Sequence, residues 1–413
     1  MSSSVSSVPT PRPAAGRWTR DPPREWPGDA RALGDRLARS IAGDVRFDAG
    51  HRALYAVDGS NYRQVPIGVV LPRSLDDVLA TVELCREAGA PVLNRGGGTS
   101  LCGQCCNLAV VIDWSRHLHH VVEVDPGRRF ARVQPGVVLD VLRQHVTRHD
   151  LTFGPDPATH SHCTLGGMLG NDSCGVHSVL AGRTEGNVLG LDVLTYDGER
   201  LRVGPTSPEK LATIVAGGGR RAEIYRALAG IVERYGDEIR RRFPDIPRRV
   251  SGYNLPALLP ENGFDVARAL VGTECTCVLV LEATVRLVES PPARALAVIG
   301  YPDIYQAADA VPFVLESRPL ALEAFEENLL AEFKRTGVHP DKLRLLPQGA
   351  GWLIVEFGGA ERAEAEDKAR AFAARVRAHT PAVAVGLYEN PAVERFIWLL
   401  REWGLAAAAG APG

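Results

Sequence analysis

Two glycine-dense stretches carry the residue types in this chain that could do chemistry. The first reads Arg95-Gly96-Gly97-Gly98-Thr99-Ser100-Leu101-Cys102-Gly103. It lies between two apolar runs, Ala90-Pro91-Val92-Leu93 and Leu108-Ala109-Val110-Val111-Ile112. That placement predicts a loop between two buried strands. Consecutive glycines reach positive φ and leave N–H groups that no Cβ shields. N–H groups turned into one concavity bind an anion, most simply a phosphate or pyrophosphate. The competing reading is a tight strand-to-strand turn, which rarely needs three glycines, Thr-Ser and a fourth glycine. The second stretch runs through Phe153-Gly154-Pro155-Asp156-Pro157, Thr164-Leu165-Gly166-Gly167-Met168 and Gly170-Asn171-Asp172-Ser173-Cys174-Gly175. It reads as poor helix and poor strand. Packing along an extended ligand gives such a segment a reason to be ordered.

Other reactive side chains are less directed. His160, His162 and His177 flank the second stretch and are candidate proton acceptors, with a structural hydrogen-bonding role as the alternative. Eight cysteines follow no secretory signal and no zinc or iron–sulfur spacing, although Cys102, Cys105 and Cys106 are close. Free thiols in a cytoplasmic protein are expected, with no metal. Net charge is −2, so no global field draws in nucleic acid. No apolar run approaches a membrane span. Of 47 basic residues only four are lysines, which indicates a coding bias.

The elements that must hold these residues can be read in outline. The 413 residues suggest two or three domains. A disordered tail is expected over 1–28 and an N-terminal helix and extension over 29–64, with Leu33, Leu37 and Ile41 on one helix face. Residues 66–72 read as a strand, and Ser74 caps a helix ended by Gly89. A hairpin is expected around Asp125-Pro126-Gly127, and another across Tyr196-Asp197-Gly198-Glu199. Residues 208–243 read as helical, with Ile224, Leu228, Ile231 and Tyr235 on one face. Gly217-Gly218-Gly219 lacks a preceding strand and reads as a linker. After Pro291-Pro292 the order is strand–helix–strand, helix, strand–helix–strand, helix, as in a ferredoxin-like domain.

These stretches, with Ala158-Thr159-His160, Gly175-Val176-His177-Ser178 and Arg249-Val250-Ser251-Gly252-Tyr253-Asn254-Leu255, carry a family resemblance. The chain resembles FAD-binding PCMH-type (vanillyl-alcohol oxidase type) flavoproteins over residues 50–403. Within them it is most similar to the glycolate oxidase subunit and D-lactate dehydrogenase branch, and there to the large flavin–iron–sulfur oxidoreductases. The fold class implied is α+β, a two-subdomain FAD-binding fold over 65–289 followed by an incomplete ferredoxin-like cap over 290–403. A flexible tail is expected over 404–413.

By this resemblance, Arg95, Gly96, Gly97, Gly98, Thr99 and Ser100, with Gly103, form the pyrophosphate loop. Pro155 and Asp156 approach the flavin. Thr164, Gly166, Gly167, Asn171 and Gly175 line the isoalloxazine and ribityl chain. Gly182, Val188 and Val193 pack near the adenine end, and Glu274 meets the adenosine. Relatives with covalent flavin have His where this chain has Thr99, so non-covalent FAD is expected. Cys163 is one residue out of register with a second attachment point and reads as a packed thiol. Cys275-Thr276-Cys277 stands where the family usually has Gly-Thr-Leu-Gly. Arg401 matches the arginine that holds the substrate carboxylate, a task suited to a guanidinium.

The activity implied is oxidation of a D-2-hydroxy acid of the D-lactate, glycolate or D-2-hydroxyglutarate class, by hydride transfer to flavin. Expected partners are that small acid and an iron–sulfur electron-acceptor protein, or a chain supplying the missing part of the cap. The alternative is a truncated FAD-binding module, inactive alone. A reductase using NADPH on the same flavin fold finds no support in the second half, and a nicotinamide Rossmann protein would need Gly-x-Gly-x-x-Gly opening a helix.

Overall fold

The computed structural model describes residues 25–336 and 344–410, the side chains of 332–336 and 401–410 excepted. Two sheets and their helices build residues 25–289. The smaller sheet contains β1 (Asp44–Arg46), β2 (Gly68–Leu71), β3 (Val92–Arg95) and β4 (Val110–Asp113), in the order β1-β2-β4-β3. Strands β2 and β3 both run parallel to β4, with Leu93 opposite Val111. Parallel neighbours cannot be joined by a tight turn; they need a crossover of about a dozen residues. Residues 96–109 are that crossover, so the glycine loop leaves the carboxyl end of β3.

Helices α1 (Ala30–Ser40), α2 (Ala49–Leu54) and α3 (Leu75–Glu87) flank this sheet. Leu33 and Leu37 pack with Ile67, Val70, Cys85 and Val110. Trp26, in the segment expected to be disordered, donates from Nε1 to Gly89 O at 3.3 Å. Residues 1–24 lie outside the described residues. Ser74 caps α3 as expected, accepting from Asp77 N–H at 3.2 Å. Asp77 does more than complement the helix dipole. It is 5% exposed and accepts from the N–H groups of Ala42 (2.9 Å) and Arg73 (2.8 Å). Asp77→Ala leaves both donors unpaired in a half-buried place. We expect it to cost about 2 kcal/mol, read as a lowered urea midpoint, with α3 remaining formed by circular dichroism.

The larger sheet is antiparallel. It contains β5 (Val121–Asp125), β6 (Phe130–Val133), β8 (Val188–Leu194), β9 (Arg200–Val203) and β10 (Leu279–Arg286), in the order β5-β6-β10-β8-β9. Both hairpins form at their Asp-containing turns. A two-stranded ribbon pairs β7 (Leu151–Thr152) with β11 (Val288–Glu289). Helices α4 (Leu139–Thr147), α5 (Leu165–Asn171), α6 (Ser178–Ala181), α7 (Pro208–Ala216), α8 (Gly219–Arg242) and α9 (Val266–Leu270) complete this part. Leu139, Leu142, Leu165, Met168, Leu169, Tyr225 and Val266 share one core with the inward residues of the sheet. A second core, with Val78, Val82, Ile112, Trp114, Leu194 and Leu281, joins the two sheets.

Two expectations need correction here. The second glycine stretch is partly helical: α5 spans Leu165-Gly166-Gly167-Met168-Leu169-Gly170-Asn171. Burial of Leu165, Met168 and Leu169 at i, i+3 and i+4 outweighs the poor helix propensity of the glycines. On α8 the expected face holds in part: Ile224 and Leu228 pack against the main core, the fully buried residues are Ala222, Tyr225, Gly236 and Ile239, and Tyr235 is 50% exposed.

The remaining described residues form a four-stranded antiparallel sheet of β12 (Ala293–Tyr301), β13 (Ala321–Glu326), β14 (Gly351–Gly359) and β15 (Ala384–Tyr388). Its order, β13-β14-β12-β15, is that of a ferredoxin-like sheet. Helices α10 (Ile304–Leu315) and α12 (Arg362–His379) cover one face through Ala307, Val314, Ala365, Phe372 and Val376. Helices α11 (Glu327–Thr336) and α13 (Pro391–Gly410) lie on the other, through Leu330, Phe396, Ile397 and Leu400. Residues 404–410, expected to be a flexible tail, continue α13, as an alanine run with top helix propensity would. Residues 411–413 lie outside the described residues. No described helix is long and apolar enough to cross a membrane.

Candidate functional site

The glycine loop, the start of α5 and strand β13 enclose a cleft of about 740 Å³. Gly96, Gly97, Gly98, Thr99 and Ser100 form one wall, continued by Thr164, Gly167, Asn171 and Gly175. Leu322, Glu323, Phe325 and Glu326 of β13 form the opposite wall. A narrower cavity, about 70 Å³, continues it past Arg95, Gly166, Trp114 and Glu274, sharing Gly96, Ser100, Gln104, Thr164 and Asn171 with the cleft. The result is one long groove whose volume falls in the class of small-molecule and cofactor sites.

Each wall has a local reason. The N–H groups of Gly97, Gly98, Thr99 and Ser100 donate to no described residue. The loop is instead fixed by its side chains and carbonyls. Gly98 O accepts from Gly59 N–H at 3.0 Å, and the Arg95 guanidinium donates to Val57 O at 3.0 Å while lying over the Tyr55 ring. Gly98 has φ +66°, and a Cβ on Gly97 would stand 2.2 Å from His162 O. The loop therefore lies directly on the 160s turn. On the other side Thr164 caps α5, accepting from Gly167 N–H at 3.3 Å. The glycine face of α5 is thus bare backbone toward the groove, while its leucines and Met168 face the core.

At the narrow end Gln104 donates from Nε2 to Glu274 at 3.3 Å, but its Oε1 is buried without a partner. Glu274 (φ 50°) and Cys275 (φ 61°) take the backbone conformation that glycine would find easy. Cys275 opens the Cys275-Thr276-Cys277 stretch, for which the resemblance implies Gly-Thr-Leu-Gly.

The groove accordingly brings together twelve of the expected cofactor residues: Arg95, Gly96, Gly97, Gly98, Thr99, Ser100, Thr164, Gly166, Gly167, Asn171, Gly175 and Glu274. Six others are elsewhere. Val188 and Val193 are buried in the main core, 3% and 0% exposed. Gly103 and Gly182 hold positive-φ turns outside the lining, and Pro155 and Asp156 are buried behind it. Cys163 lines the cleft, and burial pushes its thiol up to about 11, as a packed thiol should behave.

None of the three candidate histidines lines the cleft; His162 Nδ1 is 2.8 Å from Ser161 Oγ. His160 Nδ1 is 2.8 Å from Asp140 Oδ2 on α4. His177 lies where the first part meets the ferredoxin-like sheet. Its Nδ1 is 2.6 Å from Asp156 Oδ2 and its Nε2 is 3.0 Å from Glu356 Oε1. Arg294 donates to the same Glu356 oxygen at 2.8 Å, and Trp398 Nε1 donates to the other at 3.1 Å. Burial works to lower the His177 pKa, but the two carboxylate hydrogen bonds outweigh it and the net shift is upward. Burial likewise opposes the ionised forms of Asp156 and Glu356, and the His177 and arginine contacts hold both below their usual values. The cluster is a buried, charge-compensated junction. Arg401 falls within α13, and its side chain lies outside the described residues. Val250, Cys105 and Cys174, quoted in the sequence motifs without a site role, line the cleft, as do Arg248 and Gln104, which the sequence did not single out. Only Arg248 had a signal, standing next to the motif at 249–255.

Residues 66–204 match the family model of an FAD binding domain, and residues 290–413 that of the C-terminal domain of FAD linked oxidases. The chain belongs to the PCMH-type FAD-binding flavoproteins. It is 30% identical over 353 residues to the D-2-hydroxyglutarate dehydrogenase of Pseudomonas putida, covering 83% of this chain and 35% of that one. It is 28% identical over 297 residues to the glycolate oxidase subunit GlcD of Bacillus subtilis, covering 70% of this chain and 52% of that one. The chain spans about a third of the length of the D-2-hydroxyglutarate dehydrogenases it matches. A solved structure titled alkyldihydroxyacetonephosphate synthase superposes with a TM-score of 0.61, 18% identity, and coverage of 94% of this chain and 65% of that one, a likeness of fold.

The cofactor of this flavoprotein family is FAD, and the groove fits it. Four unpaired N–H groups in a glycine loop suit an anionic pyrophosphate. An orphaned amide oxygen at the narrow end suits a donor such as an adenosine amine or hydroxyl. The length of the groove, with bare backbone at several separate points, suits an extended dinucleotide.

Proposed function

We propose that this chain holds FAD non-covalently in the glycine-walled groove and oxidises a D-2-hydroxy acid in the cleft facing β13. The observation that carries the reading is the cleft itself. One wall is the cofactor groove and the other is a cap strand, which leaves a space for a small acid between them. The substrate class follows from relatives named D-2-hydroxyglutarate dehydrogenase, glycolate oxidase subunit and probable D-lactate dehydrogenase. Bound FAD supplies a two-electron acceptor for the hydride from the substrate α-carbon.

The residues of the chain have the remaining tasks. The loop N–H groups of residues 97–100 hold the pyrophosphate. Leu322 and Phe325 exclude water from the apolar part of the cleft, which strengthens every charge interaction inside it. The cleft-wall groups that can accept the substrate hydroxyl proton are Glu323 and Glu326. Thr99 stands where, by the resemblance, relatives with covalent flavin have histidine, and its hydroxyl offers no imidazole for that bond. Arg401 is placed in sequence to hold a carboxylate.

The test is anaerobic titration of the FAD-loaded chain with D-lactate, glycolate and D-2-hydroxyglutarate. At least one is expected to bleach the flavin band, and acid precipitation is expected to release all flavin to the supernatant. A second reading rests on the chain spanning about a third of the D-2-hydroxyglutarate dehydrogenases and about half of the GlcD subunit it matches. It is an FAD-binding unit that turns over only with a companion chain or an iron–sulfur acceptor protein. Under that reading dithionite bleaches the flavin and none of the three acids does.

A further inference from the structure

A second cavity, of about 560 Å³, opens on the side of the ferredoxin-like sheet that α10 and α12 cover. It lies between the chain joining α10 to β13 and one face of α12, and it shares no lining residue with the cofactor groove. Lys368, Ala371, Phe372 and Arg375 stand at i, i+3, i+4 and i+7 of α12, which sets them in one row. Pro291, Leu320, Phe357 and Phe372 supply an apolar floor. Gly358 lets that floor close. A Cβ there would stand 2.4 Å from Leu320 Cδ1 and 2.9 Å from Pro291 Cβ.

The charge of the cavity is one-sided. Among the described residues that line it are Arg318, Lys368 and Arg375, and no carboxylate. Lys368 donates to Gly358 O at 2.8 Å and to Glu364 at 2.7 Å, and Arg375 donates to Ser317 Oγ at 2.8 Å and to Glu316. Both acidic partners are exposed and stand outside the lining, where water weakens their hold. Arg318 differs. Its guanidinium has no hydrogen-bond or ion-pair partner among the described residues, so its donors are open. Its backbone has φ +50°, in the turn after α10, where glycine is the easy residue. The chain thus keeps an uncompensated cation, in a strained conformation, beside an apolar floor.

Such a cavity is complementary to a molecule with an apolar body and an anionic head. The Phe357 and Phe372 rings are 5.2 Å apart and tilted by 48°. They offer edge and face contacts that an aromatic body uses and an alkyl chain does not. A carboxylate fits the fork of a guanidinium. We propose that this cavity binds an aromatic carboxylate, with its rings on the Phe357–Phe372 floor and its carboxylate on Arg318. The floor adjoins the His177 junction. Leu320 N–H donates to Glu356 O at 2.8 Å, and Leu320 and Pro291 also wall a small cavity beside His177 and Arg294. A ligand seated on Leu320 stabilises the folded chain by linkage.

The experiment titrates the full, FAD-loaded chain with 2-naphthoate by calorimetry. The neutral counterpart is 2-naphthalenemethanol, and the flavin spectrum is followed alongside. 2-Naphthoate is not a 2-hydroxy acid and has no hydride to give the flavin. One acid is expected to bind per chain, the alcohol at least ten-fold more weakly, with the flavin spectrum unchanged and the thermal midpoint raised. R318G removes the cation and suits the positive φ. It is expected to weaken 2-naphthoate binding ten-fold or more while the midpoint without ligand stays equal or rises. A371W, on the exposed row of α12, fills the cavity without altering charge and is expected to abolish binding with FAD content unchanged. No binding by the parent chain overturns the inference, as does equal affinity for acid and alcohol. Binding that survives both substitutions overturns it too. So does 2-naphthoate that displaces FAD or shifts the flavin spectrum, because it then occupies the groove. None of these outcomes bears on the proposed function, which is read with 2-hydroxy acids.

Discussion

His177→Ala is expected to destabilise the junction between the cofactor part and the ferredoxin-like sheet by about 3–5 kcal/mol, the range for removing one member of a buried charge set. Asp156 and Glu356 are 4% and 3% exposed, and both aim oxygens at this one imidazole. Without it two carboxylates stay desolvated, Asp156 with Arg143 3.8 Å away and Glu356 with Arg294 2.8 Å away. Denaturant unfolding followed by tryptophan fluorescence checks this, since Trp398 belongs to the cluster.

The pH dependence has a definite sign. The folded-state pKa of His177 is raised above its usual 6.5. Its contribution is fully present below pH 6.5 and is lost as pH rises through the raised value. Asp156 and Glu356 are held below their usual 3.8 and 4.5. Their contributions are present above those values and are lost as pH falls through the lowered ones. The parent chain should therefore lose junction stability on the alkaline side, and His177→Gln should remove that slope. If His177 were instead the proton acceptor of the reaction, the Gln variant would fold normally and fail to reduce its flavin.

Gly97→Ala is expected to weaken FAD binding by about a hundred-fold, equivalent to about 2.7 kcal/mol. The added Cβ would stand 2.2 Å from the carbonyl oxygen of His162 and 3.0 Å from its carbon. Those are backbone atoms and cannot swing aside, so the loop must lift from the 160s turn. Lifting it separates the N–H groups of residues 97–100 from the Thr164–Asn171 wall, and the two halves of the groove no longer close on one ligand. Fluorescence titration of FAD measures the effect. The cores do not include Gly97, so circular dichroism should be unchanged.

Much of this architecture is legible in the residues. The loop's position between strands follows from Gly96-Gly97-Gly98 flanked by apolar runs. Both hairpins follow from Asp-containing turns, and the order of elements after Pro292 predicts the ferredoxin-like sheet. What is not legible has physical causes. Glycine propensity argues against α5, and only burial of Leu165, Met168 and Leu169 in a distant core reverses it. Val188 and Val193 adjoin the glycine region in sequence, yet which face of β8 they share depends on pairing with β10. His177 finds its second carboxylate 179 residues away, a partnership no local pattern records. Arg248 looks like any surface arginine until the fold brings it to the rim of the cleft that β13 walls.

The position of β10 has a consequence for how the chain comes off the ribosome. Residues 279–286 insert between β6 and β8, strands made some 150 and 90 residues earlier. Until they emerge, two finished hairpins wait with open edges, and open edges invite pairing with other chains. Loop closure over such separations is slow. The nascent protein therefore passes through a long aggregation-prone interval, and early FAD cannot shorten it, because Glu274 and Cys275 reach the groove only when β10 does. Supplying flavin during synthesis should help the finished chain more than the growing one.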